Sequence, residues 1–458
     1  MSEIRSKCAG AVPLCAHLEP WHETLATRPD RIADWMDAHG SPLNLIEPTP
    51  MGRNAAELTA AASARGLELR IFFARKANKA LALVDEAMSL SLGVDVASEQ
   101  ELRQVLDRGV QAEDIVVTAA IKPKALLELC AQSGAVVVID NLDELRLLGE
   151  IASSRPEPVR MALRLAPTPD PGAAPTRFGM TAEELAALDE LSSGELSVIG
   201  VHFHLDGYSA EQRVTAIGES LGVADFLRDR GHPVAFLDMG GGIPMSYLES
   251  GAEWQAFWAE HERAVRGDGP DITFDGHALG KTYPYHQAPV RGDWLGLILD
   301  APLADATVAE ALRGRGLELR MEPGRALLDG CGMTVARVEF RKQRADGTWL
   351  VGLAMKRTQM RSTSDDFLVD PLLLRPPAHG EPTAAVDGYL VGAYCVEREL
   401  ISWRRLSFPD GVAVGDLIAF PNTAGYLMHI LESASHQIPL ARNLVIRDGE
   451  ASLDPIDS

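Results

Sequence analysis

Between about residues 69 and 325 the chain alternates short apolar, strand-like runs with helix-compatible ones, and this serial pattern restricts the fold more than any other feature. The strand-like runs are Leu69–Arg75, Leu92–Ala97, Asp114–Ala119, Ala135–Asp140, Val159–Leu165, Ser197–His204, Val234–Met239 and Leu317–Glu322. Helices are predicted at Glu99–Arg108, Lys124–Gln132, Asn141–Ser153, Thr181–Leu191 and Ala210–Arg230, with Ser98, Asn141, Thr181 and Ser209 as caps. Roughly eight β/α units in series favour a closed parallel barrel over an open sheet. The connection between the last two strands is the longest. It holds a helix candidate bearing Trp254, Phe257 and Trp258, then a loop rich in Gly, Pro, Tyr and His from Gly276 to Trp294. Its aromatics argue against disorder, so it reads as a lid or an oligomer contact.

After Glu322 the pattern becomes that of β segments separated by turns: Thr334–Arg341, Thr348–Met355, Gly388–Cys395, Asp416–Phe420 and Leu440–Arg447. The expected fold class is α/β, a (β/α)8 TIM barrel plus a C-terminal all-β domain. The expected division is an N-terminal segment, 1–50, packing with the β domain, a barrel, 51–330, and the C-terminal β domain, 331–458. Pro42 to Glu47 is expected to lend the β domain a strand.

A formal net charge of -22 repels phosphate backbones and anionic lipid, which discounts nucleic acid and membrane surfaces as partners. No apolar run is long enough to span a bilayer. Arg5 and Lys7 precede a short apolar stretch broken by Pro13, so no signal peptide is expected. The five cysteines (Cys8, Cys15, Cys130, Cys331, Cys395) are scattered without metal-ligand spacing, as expected of free thiols in a reducing cytoplasm with no metal site.

Catalytic groups of such a barrel sit at the C-terminal ends of its strands. There the pattern puts Lys76, Asp95, Arg164, His202 and His204, then Gly240, Gly241 and Gly242, then Glu322, Gly324 and Arg325. Lys76 ends an apolar run abruptly. Partial desolvation would lower its pKa and make it a nucleophile toward carbonyls. Taken singly, each residue has a plainer reading: a surface lysine, a core histidine, a flexible glycine turn, a Glu322–Arg325 ion pair. Together, an amine, an acid, an aromatic base and glycines that admit a phosphate describe a site for a phosphorylated, ring-shaped, electrophilic cofactor. Pyridoxal phosphate fits that description.

The segments FFARKANK, GVDVASEQEL, TRFGMTAEEL, GVHFH, LDMGGGIP, MEPGR, GAYC and NTAGY, in this order from about Pro42 to Val445, resemble the fold-type III pyridoxal-phosphate enzymes. These are the ornithine, arginine and diaminopimelate decarboxylases, with alanine racemase as a distant relative. The resemblance implies that Lys76 forms the internal Schiff base and that His204 stacks on the pyridine. It implies that Gly240, Gly241, Gly242, Gly324 and Arg325 hold the phosphate, with Tyr426 adding a phosphate or ring contact. Asp95 and Arg164 would line the cofactor pocket, and Glu322 would meet the pyridine nitrogen. Cys395 would enter the neighbouring subunit's site as a proton donor, which requires a head-to-tail homodimer. An amino-acid substrate would then lose carbon dioxide through an external aldimine and a quinonoid.

A carboxylate at Glu322 favours the protonated ring and hence decarboxylation. The racemase relatives use arginine there. A racemase or epimerase, with Tyr394 or Cys395 as the opposing base, is the second reading, and a decarboxylase-like protein without turnover the third.

Three departures from the family pattern stand out. His204-Leu205-Asp206-Gly207 lacks the usual phosphate-binding serine, for which Tyr208 or Ser209 is a substitute. The acidic residue after the cysteine is displaced to Glu397, beside the distal end of the substrate. Met355 to Arg361 carries Lys356, Arg357 and Arg361, either a solvated basic loop or, through Arg361, a contact to a substrate carboxylate. These departures point to a side branch acting on a carboxylate-bearing or otherwise unusual amino acid.

Overall fold

The computed structural model describes residues 4–169, 171, 174–188, 194–362, 367–377 and 384–458. All eight expected barrel strands form, as Leu69–Ala74, Gly93–Val96, Ile115–Val117, Val136–Ile139, Val159–Leu165, Leu196–Phe203, Phe236–Asp238 and Glu318–Met321. Each pairs in parallel with the next, and the eighth closes on the first with Leu319 opposite Leu69 and Met321 opposite Ile71. Ser98, Asn141, Thr181 and Ser209 each accept the backbone N–H three residues on, starting the helices Glu99–Asp107, Leu142–Ala152, Ala182–Ala186 and Ala210–Asp229. The expected reach of the third of these to Leu191 lies partly outside the described residues.

Strand periodicity sorts the side chains. Odd-numbered positions of the first strand (Ile71, Phe73) pack outward in the main core. Phe72, Val116, Val136, Val138, Ala162 and Phe236 fill the lower barrel as a separate cluster. Arg320 stacks on Phe236, 3.6 Å from the ring centre, and closes that layer. Glycine makes room for the rings: a Cβ at Gly200 would stand 2.2 Å from Phe236, and one at Gly93 2.3 Å from Phe72. One step further along the same face come Asp95, Thr118, Asp140, Arg164, His202, Asp238 and Glu322. All are buried.

A ten-stranded sheet forms the second unit. Gly332–Gln343 is its spine, pairing with Trp349–Leu353, with Leu417–Pro421 and with Leu43–Ile46. Leu43–Ile46 also runs parallel to Arg442–Arg447. The short strands Ala9–Gly10, Leu372–Leu374, Leu406–Phe408 and Glu450–Leu453 were not anticipated, because two to four residues carry too little alternation to register. Nor were the helices Pro20–Ala26 and Pro29–His39, whose leading prolines read as breakers but stand at the first helical position.

One expectation is corrected. The strand expected at Gly388–Cys395 is Val386–Val391, and Cys395 sits on an exposed turn beyond it. The Gly276–Trp294 segment is partly buried. Tyr283 and Tyr285 are buried against Tyr247, and a helix begins at Arg291. The Trp-bearing helix before it is Gly251–Val265. No helix among the described residues is long and apolar enough to cross a membrane.

Asp370 ties the N-terminal segment to the β sheet. Its Oδ1 accepts from Gly10 N (3.0 Å) and Arg404 Nη1 (2.6 Å), and its Oδ2 from Leu14 N (3.1 Å). Removing it would leave Arg404 buried without a counter-charge. Asp370→Ala should therefore destabilise the fold by about 3–5 kcal/mol, measured as a lower urea midpoint.

Candidate active site

Lys76 follows the first barrel strand in a single 3-10 turn, Arg75–Ala77. Arg75 points away from the barrel axis and anchors the turn by donating to Glu101 O and Gln104 Oε1. Lys76 is left facing the mouth. The β unit clasps the same turn: Tyr426 N donates to Ala77 O (2.7 Å) and Asn78 Nδ2 to Ala424 O (3.0 Å).

Lys76 Nζ lies 3.1 Å from Asp95 Oδ2 and 3.8 Å from Glu322 Oε2. Asp95 Oδ1 accepts from Thr118 Oγ1. Glu322 Oε1 is 3.1 Å from His202 Nε2, and Glu322 also lies within hydrogen-bond reach of Asp238. Asp238 Oδ1 accepts from Gly240 N at 2.9 Å. Glu322 therefore pairs with Lys76 and His202; its plainer reading as a partner of Arg325 is set aside. Arg164 donates to Asp140 Oδ1 (2.8 Å) and Thr118 O (2.7 Å), so it braces the neighbouring strands.

These contacts set the protonation states. Burial disfavours charge on Lys76, but Asp95 and Glu322 outweigh it and hold the amine well above the ordinary lysine range. The expected depression of this pKa is thus reversed: a partly desolvated amine facing two carboxyls keeps its proton. Burial, then the Glu322 charge, pushes Asp95 up to about 6, against the pull of Lys76. Burial raises Glu322, and burial with the Glu322 charge raises Asp238 well above the carboxylate range. Two adjacent carboxyls in so dry a site hold a proton between them. Burial, then Arg164 and Lys76, pushes His202 far below its usual value, so a neutral ring shares a hydrogen bond through Nε2 with Glu322. Burial and the charge on Lys76 likewise keep His204 neutral.

The glycines border this cluster. A Cβ at Gly241 would stand 2.9 Å from Glu322 O and 3.8 Å from His204 Cε1, and one at Gly324 2.9 Å from Tyr426 Oη. Arg325 is buried with Nη1 bonded to Tyr247 Oη and Gly425 O, and Nη2 to Ser362 Oγ, each at 2.9 Å. The Tyr283 ring lies 4.2 Å from its guanidinium carbon. No carboxylate pairs with Arg325 among the described residues.

Three sequence candidates stand apart. Cys395 and Glu397 are exposed, and Arg361 donates to Leu400 O (3.1 Å). Within one chain, no hydrogen bond or ion pair among the described residues joins them to Lys76. The basic stretch is not a solvated loop: Lys356 is fully buried on Ser433 O and Ile438 O, and Arg357 pairs with Glu399. Ser209 is occupied as a helix cap, and Tyr208 is hydrogen-bonded to Tyr283. Sequence reasoning passed over Asp238, Thr118 and Asp140 as site residues. Counting by twos from Phe236 would have found the first.

Residues 54–266 match the family model described as pyridoxal-dependent decarboxylase, pyridoxal binding domain. The chain is 32% identical over 423 residues to an uncharacterized protein, y4yA, of Sinorhizobium fredii, covering 91% of this chain and 90% of that one. It is 25% identical over 375 residues to a diaminopimelate decarboxylase of Pseudomonas aeruginosa, covering 79% and 77%. Among solved structures, diaminopimelate decarboxylase from Helicobacter pylori complexed with L-lysine superposes with a TM-score of 0.69 at 20% identity, covering 92% of this chain and 95% of that one. The chain belongs to the fold-type III pyridoxal-phosphate-dependent decarboxylases.

The residues present fit the cofactor. A lysine amine faces the mouth, a proton-holding carboxyl pair lies behind it, and a buried guanidinium without a carboxylate borders glycines that side chains could not replace. Because the free Lys76 amine is scarce at neutral pH, trinitrobenzenesulfonate should label it slowly in the cofactor-free chain. The rate should climb about tenfold per pH unit with no plateau below pH 9. Asp95→Asn removes the nearest carboxylate and should speed labelling about tenfold at fixed pH, measured by mass analysis of the Lys76 peptide.

Proposed function

We propose that this decarboxylase uses Lys76 to hold pyridoxal phosphate and removes carbon dioxide from an amino acid that carries a second carboxylate. The observation that carries the reading is the Lys76 amine 3.1 Å from Asp95 and 3.8 Å from Glu322, with Asp238 and His202 behind. When bound, the cofactor supplies an aldehyde that takes up amines and a ring that withdraws electrons from the α-carbon. Lys76 is the amine that receives it, after giving its proton to a neighbouring carboxylate. Glu322, backed by Asp238, holds a proton at the ring nitrogen. His204 supports the ring face. Gly240, Gly241, Gly242, Gly324, Arg325 and Tyr426 hold the phosphate. Asp95 and Arg164 keep the lysine and the strand ends in place.

The proton returned to the α-carbon comes in this proposal from Cys395 of the partner subunit. An exposed thiol on a projecting turn suits a head-to-tail homodimer. Borohydride should fix the cofactor to Lys76, and a screen of L- and D-amino acids should release carbon dioxide with at least one. A colourless chain that ignores added cofactor would sink the reading. Mixing Lys76→Ala with Cys395→Ala subunits should restore about a quarter of the activity if sites are shared between two chains, and none if they are not.

For the substrate, Arg361 is the least engaged of the three cations among the described residues, since Lys356 and Arg357 are bound by carbonyls and Glu399. We assign it to the second carboxylate, with Glu397 bordering the same end. Arg361→Ala should raise KM about tenfold or more with kcat less affected. An unchanged KM would refute the assignment.

A further inference from the structure

Arg213 is among the largest fully buried side chains, and no step assigned above uses it. It rises from the first turns of the helix Ala210–Asp229 and lies behind the glycine turn that follows the seventh strand. Its Nη2 donates to Gly207 O (2.9 Å), Gly242 O (3.0 Å), Gly241 O (3.4 Å) and Leu205 O (3.5 Å). Its Nη1 donates to Ser209 O (3.2 Å). The Trp294 ring covers the guanidinium at 5.1 Å, and Trp294 Nε1 donates to Tyr208 O (2.8 Å). No carboxylate pairs with Arg213 among the described residues. Burial pulls its pKa down to about 10, against the influence of Tyr208 and Asp206.

Five carbonyls from two separate loops therefore converge on one dry cation. In a planar trans peptide the N–H points opposite the carbonyl. Turning the carbonyls of Leu205, Gly207, Gly241 and Gly242 toward Arg213 turns the N–H groups of Asp206, Tyr208, Gly242 and Ile243 away from it. Such an outward row of amides is an anion-binding concavity. Only glycine permits the approach at 242, where φ is +76° and a Cβ would lie 2.3 Å from Nη2. The neighbouring Gly241 instead turns its Cα to His204 and Glu322 O. A buried cation with no counter-charge is costly unless an anion is brought near.

We propose that Arg213 is the positioning residue of the phosphate site: it locks the 205–209 and 241–242 carbonyls outward and sets a positive charge behind the anion. It does so where Gly207 replaces the serine expected in this family. The inference rests on the cofactor reading above and concerns how the phosphate end is held.

The test is a titration of the cofactor-free chain with pyridoxal phosphate and, separately, with pyridoxal, which has the same ring and aldehyde but no phosphate. Binding is read from near-visible absorbance and tryptophan fluorescence. Arg213→Met should weaken pyridoxal phosphate roughly 10- to 100-fold and pyridoxal less than about twofold. Arg213→Lys keeps the charge but cannot span both loops, and should fall between. Inorganic phosphate should compete with pyridoxal phosphate in the wild type and lose that ability in Arg213→Met. Equal weakening of both ligands, or none, overturns the inference. Should Arg213→Met fail to fold, Arg213→Lys and Trp294→Phe carry the same comparison: phosphate-selective weakening supports it, and equal or absent weakening overturns it. A wild-type chain that binds neither ligand refutes the cofactor reading itself.

Discussion

One ammonium group among three buried carboxyls governs the barrel mouth. Asp95, Asp238 and Glu322 are at most 1% exposed, and each would be costly as an isolated charge. The cost is relieved in stages. Asp238 and Glu322 hold a proton between them, a neutral His202 is hydrogen-bonded to Glu322, and Lys76 neutralises what remains. None of this works unless the strands hold register. Arg164 stands opposite His202, and His202 opposite Asp238, so a one-residue slip would turn these groups into the apolar layer beneath the helices. Closure of the sheet by its backbone hydrogen bonds is what allows so polar an interior.

Charge is also separated along the mouth. The carboxyls lie at the strand ends inside the barrel, while Arg325 and Arg213, among the turns beyond the seventh and eighth strands, are buried without carboxylate partners among the described residues. Arg325 is surrounded instead by phenols: Tyr247 accepts from it, and Tyr283 and Tyr426 offer it ring faces. A phenol can accept from a guanidinium or donate to an anion, so this shell accommodates the site with and without a phosphate. A ligand with a basic ring nitrogen at one end and a dianion at the other complements this polarity.

The barrel was legible because its signal repeats: eight apolar runs at regular spacing, with polar residues where each run ends. The cluster at the barrel mouth was legible for the same reason, since Lys76, Asp95, His204 and Glu322 interrupt apolar runs. Asp238 went unused because it lies inside Leu237-Asp238-Met239, where a single acid reads as a strand end. The pKa of Lys76 was read in the wrong direction because desolvation is visible from one segment, whereas the opposing carboxylates come from strands about 20 and 250 residues away. Arg213 was invisible, since a helical arginine near a cap normally faces water. The packing of Tyr283 and Tyr285 on Tyr247 was not legible, because loop composition does not reveal what a ring packs against.

The turn that carries Cys395 is built as a rigid projection. Gly392 N bonds Glu399 O (3.0 Å), Val396 N bonds Tyr394 O (2.8 Å), and Ala393 N bonds Met355 O (2.8 Å). Tyr394 donates to Ser433 O, stacks on His436 with ring centres 5.2 Å apart, and lies over buried Lys356. Lys356 itself binds Ser433 O and Ile438 O, so the turn is fastened to the 433–438 segment. That segment adjoins Glu432, which pairs with Lys79, three residues from Lys76. The base of the turn is thus joined to one chain's active site while its tip, with Cys395 and the half-exposed Val396, faces outward. A firm mount under an exposed thiol and an apolar neighbour keeps the tip ordered before any contact, and a contact made by a pre-ordered tip is not weakened by the entropy of ordering it.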